Sequence, residues 1–79
     1  MISVDYFFFM KELVENSVHR FRSEKGVTQE VFADAIGVTR QTVIAIEKGN
    51  YTPSVFLALK IAGFFKKPVE EIFYIRYEK

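Results

Sequence analysis

The chain has 79 residues, no Cys, nine Phe and a formal net charge of +1. That length holds one domain, which buries only about 60–65% of its unfolded surface and needs compact helix packing or a second copy to hold it. The cysteine count excludes disulfides and thiolate metal sites, and the near-neutral charge excludes a broadly basic, nucleic-acid-coating surface but not a local cationic face. No apolar run exceeds Tyr6–Met10 in length, far short of the ~20 residues of a membrane-spanning helix. Asp5 stands where a secretory leader carries its cations, so the expected compartment is the cytoplasm.

The chain opens on Ile2 to Phe9 (ISVDYFFF), which is β-branched and aromatic. Two readings stay open for it: a strand, or extra turns of the first helix capped by Asp5. Tyr6, Phe7, Phe8 and Phe9 cannot all face inward on one element, so a second subunit is the economical cover for some of them. Residues 10–24 carry a helical period, with Met10, Leu13, Val14, Ser17, Val18 and Phe21 on one face, and Gly26 stops the pattern.

A second helix begins after Thr28, an N-cap residue, with Glu30 in its first turn and Phe32, Ala33 and Ile36 as its apolar stripe. Gly37 ends it. Only Val38 and Thr39 separate that glycine from a third helix over about 40–48, capped by Thr39, whose Val43 and Ile46 turn inward. Arg40, Gln41, Ile44 and Lys48 share the opposite face. Thr52-Pro53-Ser54 starts a fourth helix, with Ser54 as N-cap, which runs to about Phe65 and packs Phe56, Leu57, Leu59, Ile61 and Ala62. Pro68 opens a short fifth helix with Ile72 and Phe73 inward. Ile72 to Tyr77 (IFYIRY) has the same character and could equally be a strand, able to pair with the first within one chain or between two. The expected division is an N-terminal extension over 1–9, a domain over 10–75 and a tail over 76–79.

Two short helices joined by a tight glycine turn, at residues 28–48, make a helix-turn-helix. Such a pair places its second helix in the major groove of DNA. Base discrimination needs directed donors and acceptors there. Arg40 suits guanine and Gln41 suits adenine, Thr42 adds a hydroxyl, Ile44 offers an apolar contact for a thymine methyl, and Ala45 keeps the helix slim. Gln29 and Thr39 open the two helices, where free N–H groups favour phosphate. Lys48, Asn50 and Tyr51 follow the third helix and could grip the backbone on its other side. His19, the only His, lacks the partners a metal site needs and reads as a surface residue. No nucleophile–base pair, phosphate loop or metal spacing appears, so neither enzyme activity nor a cofactor or small-molecule ligand is expected.

At these residues the chain resembles a known family. Thr28-Gln29-Glu30-Val31-Phe32-Ala33, Gly37-Val38-Thr39-Arg40-Gln41-Thr42-Val43 and Ile46-Glu47-Lys48-Gly49 are similar to the helix-turn-helix of the Xre/Cro-type regulators, which include the lambdoid phage repressors. Tyr51-Thr52-Pro53-Ser54, Leu57 to Ala62 and Glu70-Glu71-Ile72-Phe73 continue the likeness. The resemblance implies an all-α, five-helix bundle of the lambda-repressor type, here with short terminal strands as an addition. It implies a transcriptional regulator, most often a repressor, binding double-stranded palindromic operator DNA as a homodimer. It implies phosphate contact at Gln29, base contact at Arg40 and Gln41, and a partly buried ion pair that falls on Arg22 and Glu47. An antitoxin-like or accessory interaction module is the alternative on the same fold. Three positions depart from the family: Ile44 and Val31 replace polar residues, and Lys66 replaces a glycine after the fourth helix.

Overall fold

A computed structural model describes residues 11–78. Along the chain it has strand β1 (Lys11–Asn16), helices α1 (Val18–Lys25), α2 (Gln29–Ile36), α3 (Arg40–Glu47), α4 (Val55–Phe65) and α5 (Val69–Ile72), and strand β2 (Phe73–Glu78). The five helices form the expected bundle, and the two strands pair antiparallel at its end, from Lys11 opposite Glu78 to Asn16 opposite Phe73.

The helix ends follow from local chemistry. Thr28, Thr39 and Ser54 each adopt extended backbone and accept, through their side-chain oxygens, the N–H three residues on. Each such cap satisfies one of the donors a helix start leaves free, worth about 1 kcal/mol. Gly26 and Gly37 close α1 and α2 in the left-handed region, with φ of 72° and 76°. Lys66 takes the same conformation after α4, with φ 55° and no glycine to make it cheap.

The core sits where the helices meet. Val18, Phe32, Val43, Ile46, Ile61 and Ile72 are fully buried there, each worth roughly 1.5–3 kcal/mol relative to exposure. Phe32 lies at the centre of an aromatic cluster, 5.1 Å from the Phe64 ring edge-on and 5.2 Å from Phe65 stacked. Phe21 joins it at 5.9 Å from Phe65.

Two expectations are corrected. The period over 10–24 predicts one long helix, yet Lys11–Asn16 is strand and the helix begins only at Val18. β1 is held extended by antiparallel pairing with β2, far along the chain, which a helical period cannot register. The chain switches at Asn16-Ser17, where the Asn16 carboxamide oxygen accepts from Val18 N at 3.1 Å and Ser17 N donates to Ile72 O at 2.8 Å. Among the described residues the strand opposite the C-terminal one is 11–16; the reading of 2–9 falls on residues 1–10, which lie outside the described part. The C-terminal strand falls where IFYIRY places it, and it takes in Arg76, Tyr77 and Glu78.

The second correction concerns α4. Leu57, Ile61 and Ala62 pack inward as expected, but Phe56 is 73% and Leu59 56% exposed. Eleven residues rich in apolar side chains cannot all face one core. Spacing by four puts Leu57, Ile61 and Phe65 on the inner face and leaves Val55, Phe56 and Leu59 on the outer one.

Candidate DNA interface

The turn between α2 and α3 fixes the site. Gly37 N donates to Asp34 O and Val38 N to Ala33 O, so α2 ends sharply. Phe32, Ala33, Ile36, Val43 and Ile46 then bury the inner faces of both helices. What α3 presents outward is set by this packing. Arg40 and Gln41 are exposed at its first turn, and Thr42, Ile44 and Ala45 are half-buried beside them. The five expected base-reading residues thus share one short helix with no charged residue among them except Arg40.

Thr39 serves two contacts. Its Oγ1 accepts from Thr42 N at 3.2 Å and lies 3.1 Å from Thr42 Oγ1. The Thr42 hydroxyl is thus paired with that of its neighbour. Val31 is 57% exposed, as its departure from the family pattern predicts.

The residues after α3 follow a turn of defined geometry. Lys48 N donates to Ile44 O, Gly49 N to Ile46 O and Asn50 N to Ala45 O, with Gly49 at φ 79°. Lys48, Asn50 and Tyr51 emerge from it exposed. Gln29 stands at the first turn of α2, half-buried, against a surface groove of about 570 Å³ lined by Arg22, Thr28, Gln29, Glu30 and Arg40. The N-terminus of α2 and the Arg40 guanidinium both favour an anion in that groove.

Behind the groove lies the expected ion pair. Arg22 Nε donates to Glu47 Oε2 at 2.6 Å and Arg22 Nη2 to Glu47 Oε1 at 3.1 Å. The two side chains are only 11% and 6% exposed. Arg22 Nη1 donates to Val27 O at 2.9 Å, which ties the turn between α1 and α2 into the same knot. Burial pushes the Glu47 carboxyl up, but hydrogen bonds from Arg22 and Gln29, the Arg22 charge and a contact from His19 outweigh it and hold it below the ordinary range. The hydrogen bond to Glu47 raises the Arg22 guanidinium against the opposing effect of burial.

Two members of this network were not foreseen. Gln29 Nε2 donates to Glu47 Oε1 at 3.1 Å, and His19 Nδ1 lies 3.3 Å from the same oxygen. The spacing of His19 and Arg22, three apart on α1, is a signal that they share a face. No comparable signal links Gln29 to Glu47, which come together only when α2 and α3 fold on each other.

Comparison with known proteins agrees with this geometry. The Helix-turn-helix family matches residues 18–72. The uncharacterised HTH-type transcriptional regulator YgzD of Bacillus subtilis is 46% identical over 65 residues, covering 82% of this chain and 98% of its own. An uncharacterised HTH-type transcriptional regulator of Methanocaldococcus jannaschii is 50% identical over 60 residues, covering 76% of this chain and 91% of its own. The cryptic phage CTXphi transcriptional repressor RstR of Vibrio cholerae is 32% identical over 60 residues, 76% of this chain and 54% of that protein. Among solved structures, the clp gene regulator ClgR of Corynebacterium glutamicum superposes with a TM-score of 0.65 at 25% identity, covering 70% of this chain and 58% of its own.

Proposed function

Because the chain belongs to the Xre-type helix-turn-helix family of transcriptional regulators, we propose that it reads a palindromic operator in double-stranded DNA as a homodimer and represses from it. The observation that carries this reading is the outer face of α3. A slim helix with Arg40 and Gln41 exposed at its N-terminal turn fits the major groove with its donors at base edges. Thr42, Ile44 and Ala45 complete the base-reading surface. Gln29 and Thr39 on one side and Lys48, Asn50 and Tyr51 on the other hold the phosphates. With a net charge of +1, one such interface is weak, and doubling it in a dimer is the direct remedy. Repression is supported by the likeness to a phage repressor.

Selection of duplexes from a randomised pool tests this. The expected result is an enriched motif with two half-sites one helical turn apart, about 34 Å. Gln41→Ala should then cost about 1–3 kcal/mol on that motif and relax it at one position of each half-site. No enrichment at about 100 mM salt, with Gln41→Ala indistinguishable from wild type, refutes the reading. Dimerisation is assigned to the two terminal aromatic segments, of which residues 1–9 lie outside the described part. Deleting them should give a monomer with weakened operator binding. A deletion that stays dimeric with intact affinity moves the interface elsewhere.

The outer face of α4 favours a second reading, that of an antitoxin-like or accessory module. Val55, Phe56 and Leu59 are exposed together there, and a partner protein would cover them. Under that reading Phe56→Glu abolishes function while Gln41→Ala leaves it intact.

A further inference from the structure

We propose that Glu47 is a positioning residue for DNA binding: it orients the Gln29 carboxamide so that the free N–H of the amide faces a DNA phosphate. The inference rests on the regulator reading above and assigns to Glu47 a task beyond holding Arg22.

The argument starts from the carboxylate. Glu47 closes α3 at the end of the base-reading helix, yet its side chain is 6% exposed and turned away from solvent. Arg22 binds both of its oxygens and neutralises it. That pairing would suffice for a structural ion pair. Oε1 nevertheless also accepts from Gln29 Nε2 at 3.1 Å. Gln29 belongs to the first turn of α2, beside the groove that Arg40 and Thr28 line.

A glutamine side chain has three rotatable bonds, and its NH₂ carries two donors. An unheld carboxamide at a helix N-terminus presents either its oxygen or its nitrogen to an approaching anion. The oxygen repels a phosphate. The bond to Glu47 fixes which end is the nitrogen and occupies one of its two hydrogens. The second hydrogen is left for the phosphate, and the rotamer entropy of holding it is spent during folding instead of at binding. The pair with Arg22 keeps the carboxylate from repelling the same phosphate. Arg22 in turn is anchored by its bond to Val27 O, so Gln29, Glu47 and Arg22 are one rigid unit spanning three helices.

Two measurements test this. In the free protein, the two Gln29 Nε–H resonances should differ in exchange rate, with one protected and shifted by its bond to Glu47. Glu47→Asp keeps the charge for Arg22 but withdraws the carboxylate by one methylene, and should collapse that difference. On the duplex that the wild type selects from a randomised pool, Gln29→Ala and Glu47→Asp should each weaken binding about two- to tenfold. Each should leave the slope of log affinity against log salt unchanged, because a neutral carboxamide releases no counterion when it meets a phosphate. The double variant should be no worse than Gln29→Ala alone. Effects that multiply in the double variant overturn the proposal, because a merely structural role gives that result. The amide signature is read on the unmutated protein, so the test survives a Glu47→Asp chain that does not fold. Two freely exchanging, equivalent Gln29 protons in the wild type refute the positioning role directly. If the wild type selects no duplex, the regulator reading falls, and the amide signature still decides whether Glu47 holds Gln29.

Discussion

Replacing Arg22 by Met removes the guanidinium and leaves the Glu47 carboxylate with its side chain 6% exposed. The variant loses the two bonds to Glu47 and the bond to Val27 O. Gln29 and His19 remain, but neither brings a fixed positive charge. Breaking a buried pair from one side costs about 3–5 kcal/mol, because an uncompensated charge stays behind. A domain of this size has a total stability of about 4–12 kcal/mol, so the loss is a large share of the whole. At about 4–8 °C per kcal/mol, the melting temperature should fall by at least about 12 °C. Thermal and urea unfolding followed by circular dichroism measure it. The double change Arg22→Met with Glu47→Leu should recover most of the loss, since a packed apolar pair replaces an ion pair at little cost. A single-variant loss below about 1 kcal/mol would equal that of an exposed salt bridge. That result, or a double variant no better than the single, would show that the pair is not buried in the way its distances and exposure indicate.

Acid should act through the same group. The folded state lowers the Glu47 carboxyl from its ordinary value of 4.5, so its contribution is complete above that value and is lost as pH falls through the lowered one. Stability measured between about pH 5 and 2 should decline less steeply in Glu47→Gln, and identical slopes would show that other carboxyls dominate. Lys66→Gly relieves a left-handed residue at φ 55° and should stabilise by about 0.5–1 kcal/mol after the added unfolded-state freedom is subtracted; a destabilised variant would contradict this. Ser54→Ala removes the cap bond to Leu57 N and should cost about 1 kcal/mol in urea unfolding while leaving DNA affinity unchanged in a gel shift. An affinity loss there would extend the interface to the start of α4.

The helix-turn-helix was legible because its signals are local. Thr28, Thr39 and Ser54 are side-chain caps, and Gly37 marks a left-handed stop; each acts within three or four residues, and the structure has each in place. The Arg22–Glu47 pair was legible only through the family resemblance, as nothing in the spacing of two residues on different helices announces it. The start of α1 was not legible. Leu13, Val14, Val18 and Phe21 fit a helical period, whereas what holds Lys11–Asn16 extended is pairing with residues at the other end of the chain. The exposed side of α4 was missed for a different reason. A segment apolar on all sides carries no moment to say which side is buried, and only the position of α2 decides that Leu57 and Ile61 face in. The Gln29–Glu47 bond belongs to the same class of contact, made by tertiary packing and invisible to any pattern along the chain.

The pairing of β1 with β2 closes the chain that carries the whole helical bundle into one hydrogen-bonded loop. Closing so long a loop is entropically the most costly step available to this chain, and contacts of that separation form slowly. The helices should therefore assemble first and the strands zip last. The same ordering makes the sheet the first part to open under native conditions, with the fastest-exchanging ordered amides. Opening is not silent at the other end of the molecule. Asn16 Nδ2 donates to Ile46 O at 2.8 Å, so the last residue of β1 holds a carbonyl in the final turn of α3. Fraying of the sheet loosens that turn, so the C-terminal end of α3 is held most firmly while the two strands stay paired.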